Sequence, residues 1–410
     1  MRPSIKPSLQ RERRLLRPTL LRPTLLRLAV FGVPLLAACN RTQVITATPA
    51  APIPPTAASA TTSAPRASTS SGPSLPDRLS DKDFWTLESN ISEPGGYFRI
   101  EDNYTSNEME VGQLYALLRE TGVAGGVYLG VGPEQNFTYI AAIRPKMAFI
   151  VDIRRQAIMQ HLMFKAMFEL ANDRADFISI LFAKPRPAGL DTSTTIQKIW
   201  EAYRTVVSDS TLRTKNYARV VEKLTKTQGF TFTEDESAKL TAVFNAFYYY
   251  GPSIATRGST GGRGGDFTDL TGYSVDLGGQ PRSFLSSEEN YRYVKTLHEK
   301  NLIVPVSGDF GGPKTIRAIG TYLKEHNGIV RAFYVSNVEQ YLFGDAKNDL
   351  FYANVETLPI DSTSVFIRPY SLRRQFGGVA PAQPLCPIGA FLLVVKAGRM
   401  LNYNQTLACG

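Results

Sequence analysis

"GVYLGVGPEQNFTYIAAIRPKMAFIVDIRRQ", Gly126 to Gln156, is the stretch that decides the fold. Gly126–Leu129 reads as a short strand and Gly130 to Pro133 as a turn. Residues 134–143 read as a helix, and Met147–Val151 as a wholly apolar strand ending on Asp152. A strand without polar alternation is one buried on both faces, as in a parallel sheet covered by helices. Glycines at 130 and 132 let backbone approach a ligand closely. Asp152 lies twenty residues beyond Gly132, placed to accept hydrogen bonds from ribose hydroxyls.

Outward from this stretch the alternation continues. N-terminal to it, Thr105 with Glu108 predicts a capping box for a helix carrying Met109, Leu114, Leu117 and Leu118 inward. C-terminal to it comes an amphipathic helix with Ile158, Leu162, Met163, Met167 and Phe168; its His161 reads as a structural histidine. Phe177–Ala183 reads as a strand and residues 191–250 as a mostly helical insertion, in which Thr233 with Glu236 caps one helix. A helix near 288–300 is capped by Ser286 with Glu289. Strands follow at Leu302–Val306, Ile329–Val335 and Ser364–Ile367, with helices at Pro313–Glu325 and Asn337–Phe343. The expectation is an α/β, Rossmann-like fold: a mostly parallel sheet, helices on both faces, and a helical insertion.

Ligands of such sheets bind beyond the carboxyl ends of the strands. Those ends present Gly130, Gly132, Glu134 and Asn136, then Asp152, then Asp309, then Asn337 and Glu339. We take Gly130, Gly132, Glu134, Asn136, Asp152 and Asn337 as the binding set. Asp309 or Glu339 is the candidate base for a transfer reaction, and each also reads as a structural carboxylate. A dinucleotide would want glycine at 135, where this chain has Gln, and no acid at the helix N-terminus, where it has Glu134. S-adenosylmethionine has no phosphate and carries positive charge, so Glu134 is compatible with it. The three histidines have no metal-ligand spacing, and no metal is expected. "RGSTGGRGGDF", with its glycine-rich loop at 257–265, lacks the Gly-Lys-Ser/Thr ending of a P-loop.

Of the net +10, residues 1–38 hold eight basic side chains against one acid, so the remainder carries only +3. Such a remainder offers no strong counterion-release term, and no nucleic-acid partner is expected. The basic start leads into an eleven-residue apolar run, Leu28 to Ala38, too short to span a bilayer. Leu36-Ala37-Ala38-Cys39 resembles the lipobox of bacterial lipoproteins, which implies lipidation at Cys39 and a membrane partner through that anchor. By resemblance to Gram-negative lipoprotein sorting, Asn40 after the cysteine implies the outer membrane, facing the periplasm. Residues 39–77 form an Ala/Thr/Ser/Pro-rich linker that cannot bury enough apolar surface to fold. In an oxidising compartment Cys386 and Cys409 read as a disulfide or as two unrelated thiols. The organisation is thus signal peptide 1–38, linker 39–77, Rossmann-like domain 78–370 with insertion 191–250, and C-terminal extension 371–410.

"SEPGGYF", "GGPKTIRAIGTYLKEH" and "FYVSNVEQYL", with the opening stretch, resemble an uncharacterised bacterial family with a class I S-adenosylmethionine-dependent methyltransferase-like core. The resemblance implies a fold and brings no known reaction. Tyr128 stands where that pattern usually has an acid before the glycines. Two functions remain open. One is methyl transfer from S-adenosylmethionine. The other is a non-catalytic envelope protein that keeps the pocket for another small polar ligand.

Overall fold

The computed structural model of the chain describes residues 73–100, 102–256, 265–369 and 383–409. The signal segment with Cys39, most of the linker, and nearly all of the glycine-rich loop lie outside the described residues. Six strands form one sheet: β1 (Val127–Gly130), β2 (Met147–Asp152), β3 (Ile303–Ser307), β4 (Val330–Tyr334), β5 (Val365–Ile367) and β6 (Leu385–Pro387). The order is β3-β2-β1-β4-β5-β6, with every pair parallel except β5–β6. β1 and β2 are buried along their whole length, as their unbroken apolar runs require.

Helices cover both faces. One group is α2 (Val111–Glu120), α3 (Gln135–Ile143), α4 (Arg155–Leu170) and α9 (Glu288–Glu299); the other is α1 (Asp81–Ile91), α10 (Thr315–Glu325) and α12 (Asn348–Val355). α11 (Val338–Gly344) follows β4 directly. The core between sheet and first group is aromatic: Phe137 meets Phe164 and Phe168 edge-on, and the His298 ring stacks on Phe168 at 4.7 Å. Both His298 nitrogens lack a partner, and burial drives its pKa well below the usual histidine value. His298 is therefore a neutral ring of this cluster.

The connection from β2 to β3 holds the helical insertion: α5 (Arg174–Phe182), α6 (Ile196–Arg204), α7 (Ser210–Glu222) and α8 (Glu234–Tyr250). α8 starts with the expected box. Thr233 Oγ1 accepts from Glu236 N at 3.2 Å, and Glu236 Oε2 accepts from Thr233 N at 2.8 Å. Arg155, at the start of α4, joins Glu88 of α1 to Glu236 of α8 and so ties the insertion to the helix start that follows β2.

Three expectations need correction. Phe177–Ala183 is not a strand; it belongs to α5, whose start is capped by Asp173 accepting from Asp176 N at 2.8 Å. That helix is buried nearly all round, so its sequence carries no period. Thr105 and Glu108 form no capping box, because the Glu108 carboxylate turns to β4 and α2 starts only at Val111. The cap of α9 is Ser287 accepting from Asn290 N, one residue beyond the expected pair.

Residues 383–409 add the antiparallel strand β6, then α13 (Ile388–Lys396) and α14 (Tyr403–Leu407). Cys386 in β6 and Cys409 are joined by a disulfide, with Cα atoms 5.6 Å apart. Among the described residues, no helix is long and apolar enough to cross a membrane.

Candidate functional site

Strand order reverses at β1, which lies between β2 and β4, and a crevice opens beyond the carboxyl ends of these strands. It is a cavity of about 410 Å³, within the range of small-molecule sites. Gly132 and Gln135 line it after β1, Asp152 and Arg154 after β2, Asp309 after β3, and Asn337 after β4. The sequence reading therefore brings four of its candidates together here: Gly132, Asp152, Asp309 and Asn337.

Asn136 and Gly130 shape the turn instead of lining the cavity. The Asn136 amide donates to the carbonyls of Val131, Gly132 and Pro133 at 3.0, 3.1 and 2.8 Å, and its Oδ1 accepts from Tyr128 Oη at 2.8 Å. A Cβ on Gly130 would lie 2.0 Å from that Oδ1, so only glycine fits. Gly132 has φ +79°, a second reason for glycine in this turn. His161 Nε2 reaches the Gly132 carbonyl at 2.9 Å. Burial holds the His161 pKa down to about 4, so the ring is neutral and donates from Nε2. The helical setting had marked His161 as structural; that it braces the glycine turn could not be read from spacing.

Glu134 is buried and does not line the cavity. Its Oε1 accepts from Ser106 N at 3.1 Å, and its Oε2 has no partner. Desolvation raises its pKa to about 7, against the lowering effect of the Ser106 amide. Asp152 is also buried and accepts from Arg154 three times: N and Nε to Oδ1 at 2.9 and 3.0 Å, and Nη2 to Oδ2 at 2.8 Å. Oδ2 keeps a lone pair for a ligand hydroxyl, and Arg154 adds a positive partner that the sequence reading had not assigned.

Asp309 accepts from Lys347 Nζ at 2.9 Å and from Gly311 N at 3.0 Å. Glu339 is elsewhere. It is 1% exposed and takes two hydrogen bonds from buried Arg368, at 2.7 and 2.9 Å, and one from Tyr352 Oη. Glu339 does not line the cavity and both of its oxygens are taken up by Arg368 and Tyr352, so we withdraw it as candidate base. Its position two residues after Asn337 had suggested the cavity, but the first turn of α11 points it into the core.

One wall was missed by sequence reasoning. Residues 92–100 and 102–107 form a strap across the strand ends. Gly96 N donates to the Ile153 carbonyl at 2.8 Å. The Glu93 carboxylate sits among the amides of Asp309, Lys314 and Thr315, at 3.1, 2.8 and 3.4 Å. A carboxylate of this chain thus fills the anion-attracting start of α10. The string "SEPGG" carries no period that would signal this. Among the described residues, no group of three or more His, Cys, Asp or Glu side chains could hold a metal ion.

Residues 104–240 and 273–404 match the family described as Domain of unknown function (DUF7790). The chain belongs to this family. Its matched segments contain all six strands and the cavity loops after β1 to β4. A search of curated proteins finds no match to the chain.

Glu134 makes a stability prediction. Its folded pKa, about 7, lies above the usual glutamate value of 4.5, so the folded state holds the proton more tightly. The stabilisation is complete below about pH 4.5 and is lost as pH rises through 7. Glu134→Gln keeps the Ser106 contact and removes this loss. In urea unfolding the variant should match wild type near pH 4.5 and exceed it at pH 8 by roughly 2–3 kcal/mol. An equal difference at both pH values would remove the argument.

Proposed function

We propose that the chain is an exported, lipid-tethered binding domain. Its cavity takes S-adenosylmethionine or a related nucleoside. The supporting observation is the cavity itself, at the reversal of strand order, with Asp152 on its wall and its Oδ2 accepting from Arg154 Nη2 alone. The ribose of a nucleoside supplies hydroxyl donors. A diphosphate fits less well: the start of α3 carries buried Glu134 and that of α10 already holds Glu93, so neither is open to a phosphate.

Binding is favoured over transfer. Asp309 is the remaining candidate base on the cavity wall, and both of its carboxylate oxygens are already engaged, Oδ1 by Gly311 N and Oδ2 by Lys347 Nζ. Methyl transfer is the second reading. What favours it is the turn and Asp152 together, in the arrangement that the resemblance to methyltransferases implies. Export is supported by the Cys386–Cys409 bridge, since disulfides persist in oxidising compartments. Cys39 would carry the lipid, in the outer membrane and facing the periplasm.

Two measurements test this reading. Calorimetric titration of the purified chain should give micromolar binding of S-adenosylmethionine, S-adenosylhomocysteine or adenosine, and weaker binding of NAD. Asp152→Asn, which keeps the side-chain shape, should weaken the nucleoside by on the order of 1–3 kcal/mol. Unchanged affinity in that variant would displace the site. For the tether, Cys39→Ser should abolish lipid labelling and free the chain from membranes; continued labelling would refute lipidation at that residue.

A further inference from the structure

The α11 wall of the cavity leans on the C-terminal segment in two ways. Val338, Tyr341 and Leu342 of α11 line the cavity, and α14 packs directly against α11. Glu339 of the same helix takes two hydrogen bonds from Arg368, and the Arg368 guanidinium lies 4.3 Å from the centre of the Phe391 ring in α13. The Arg368 side chain is fully buried, and its Nη1 has no partner. Phe391 thus covers a buried charge pair. A buried charge with an unmet donor gains hydration as soon as water reaches it, so this cover bears on how firmly Arg368 holds α11.

α14 is the weakly held part of the segment. It has five residues, too few to form a helix in water without outside support. It is held by the burial of Thr406 and Leu407, by a backbone bond from Gln383 N to the Leu407 carbonyl at 2.9 Å, and by the Cys386–Cys409 bridge. Both α13 and α14 lie within the loop that the bridge closes, across 23 positions of sequence. The two cysteines differ in access. Cys386 is fully buried in β6, whereas Cys409 is only partly buried. Disulfide exchange starts with attack on one sulfur, so a reductant meets Cys409 first.

We propose that the Cys386–Cys409 bond is a redox-sensitive latch on the cavity wall. Opened by a dithiol, it frees α14 and loosens α11 and the side of the cavity that α11 forms. One thiolate of the dithiol attacks Cys409 Sγ, the S–S bond breaks, and Cys386 leaves as a thiolate that takes up a proton. The second thiol of the dithiol, deprotonated, then displaces Cys409 from the mixed disulfide, and Cys409 takes up the other proton. The protein gains two electrons and two protons and ends as two thiols, while the dithiol ends as a disulfide. The latch belongs to the fold and does not depend on which ligand the cavity takes.

Hydrogen exchange of the full chain without ligand, oxidised and in dithiothreitol, tests it, with mass spectrometry giving the extent of reduction. The reduced form should exchange roughly tenfold faster in Val338–Gly344 and in residues 400–408, with β1, β2 and α4 unchanged. Cys409→Ser should show the fast pattern without dithiothreitol and no further response to it. Faster exchange confined to residues 400–408 makes the bond a local staple and overturns the proposal. So does a Cys409→Ser variant that keeps the slow pattern in α11. A bond that opens only when β1 and β2 also exchange fast reports unfolding, and overturns it as well.

Discussion

The side chain of Asn136 is the constraint from which the site follows. One carboxamide holds three successive carbonyls of the turn after β1 and takes the Tyr128 hydroxyl from inside the strand. Each such buried bond contributes about 1 kcal/mol, but orphaning its partner costs about 1–3 kcal/mol, so the cluster is hard to rearrange. Gly130 is glycine because Asn136 lies where its Cβ would be. His161 supports the turn from below, as a neutral donor to Gly132. β1 lies between β2 and β4, so fixing this turn fixes the mouth of the crevice where the strand order reverses.

Against this rigid floor the chain lays its own strap. Three carboxyl groups hold it, each in a different way. Glu93 sits among the amides at the start of α10, Glu134 receives the Ser106 amide, and Glu108 is gripped by Tyr334, the last residue of β4, and by Ser336 beyond it. Two of the three are desolvated enough for burial to raise their pKa values. The strap is thus fastened by carboxyl acceptors on backbone and hydroxyl donors. The buried Glu339–Arg368 pair serves a separate end, joining α11 to the end of β5. Removing one partner of such a pair leaves an uncompensated buried charge.

Much of this was legible in the sequence. The unbroken apolar run Met147–Val151, the glycines after Leu129 and the cap at Thr233 named the sheet, the turn and α8. Phe177–Phe182 was misread because a helix buried on all sides shows no period, and its cap at Asp173 lies four residues before the run. β6 has three residues, too few for alternation to register. The site was legible as a set of strand ends but not as a geometry. Spacing cannot say that Asn136 turns inward to the backbone, that Glu339 prefers Arg368, or that Arg154 closes on Asp152. The first and last of these are local turns of a side chain, which spacing does not give; Glu339 meets Arg368 across 29 positions of sequence, and Gln135 meets Tyr334 across 199.

The central claim is that a small ligand enters the crevice between the turn after β1 and the strap. Hydrogen exchange of the full chain, with and without saturating S-adenosylmethionine, tests it most directly. The account predicts slowed exchange in residues 97–107 and 131–137 and around Ser336 and Asn337, with α6 and α7 unchanged. Slowed exchange confined to other segments, or none at all, would contradict it.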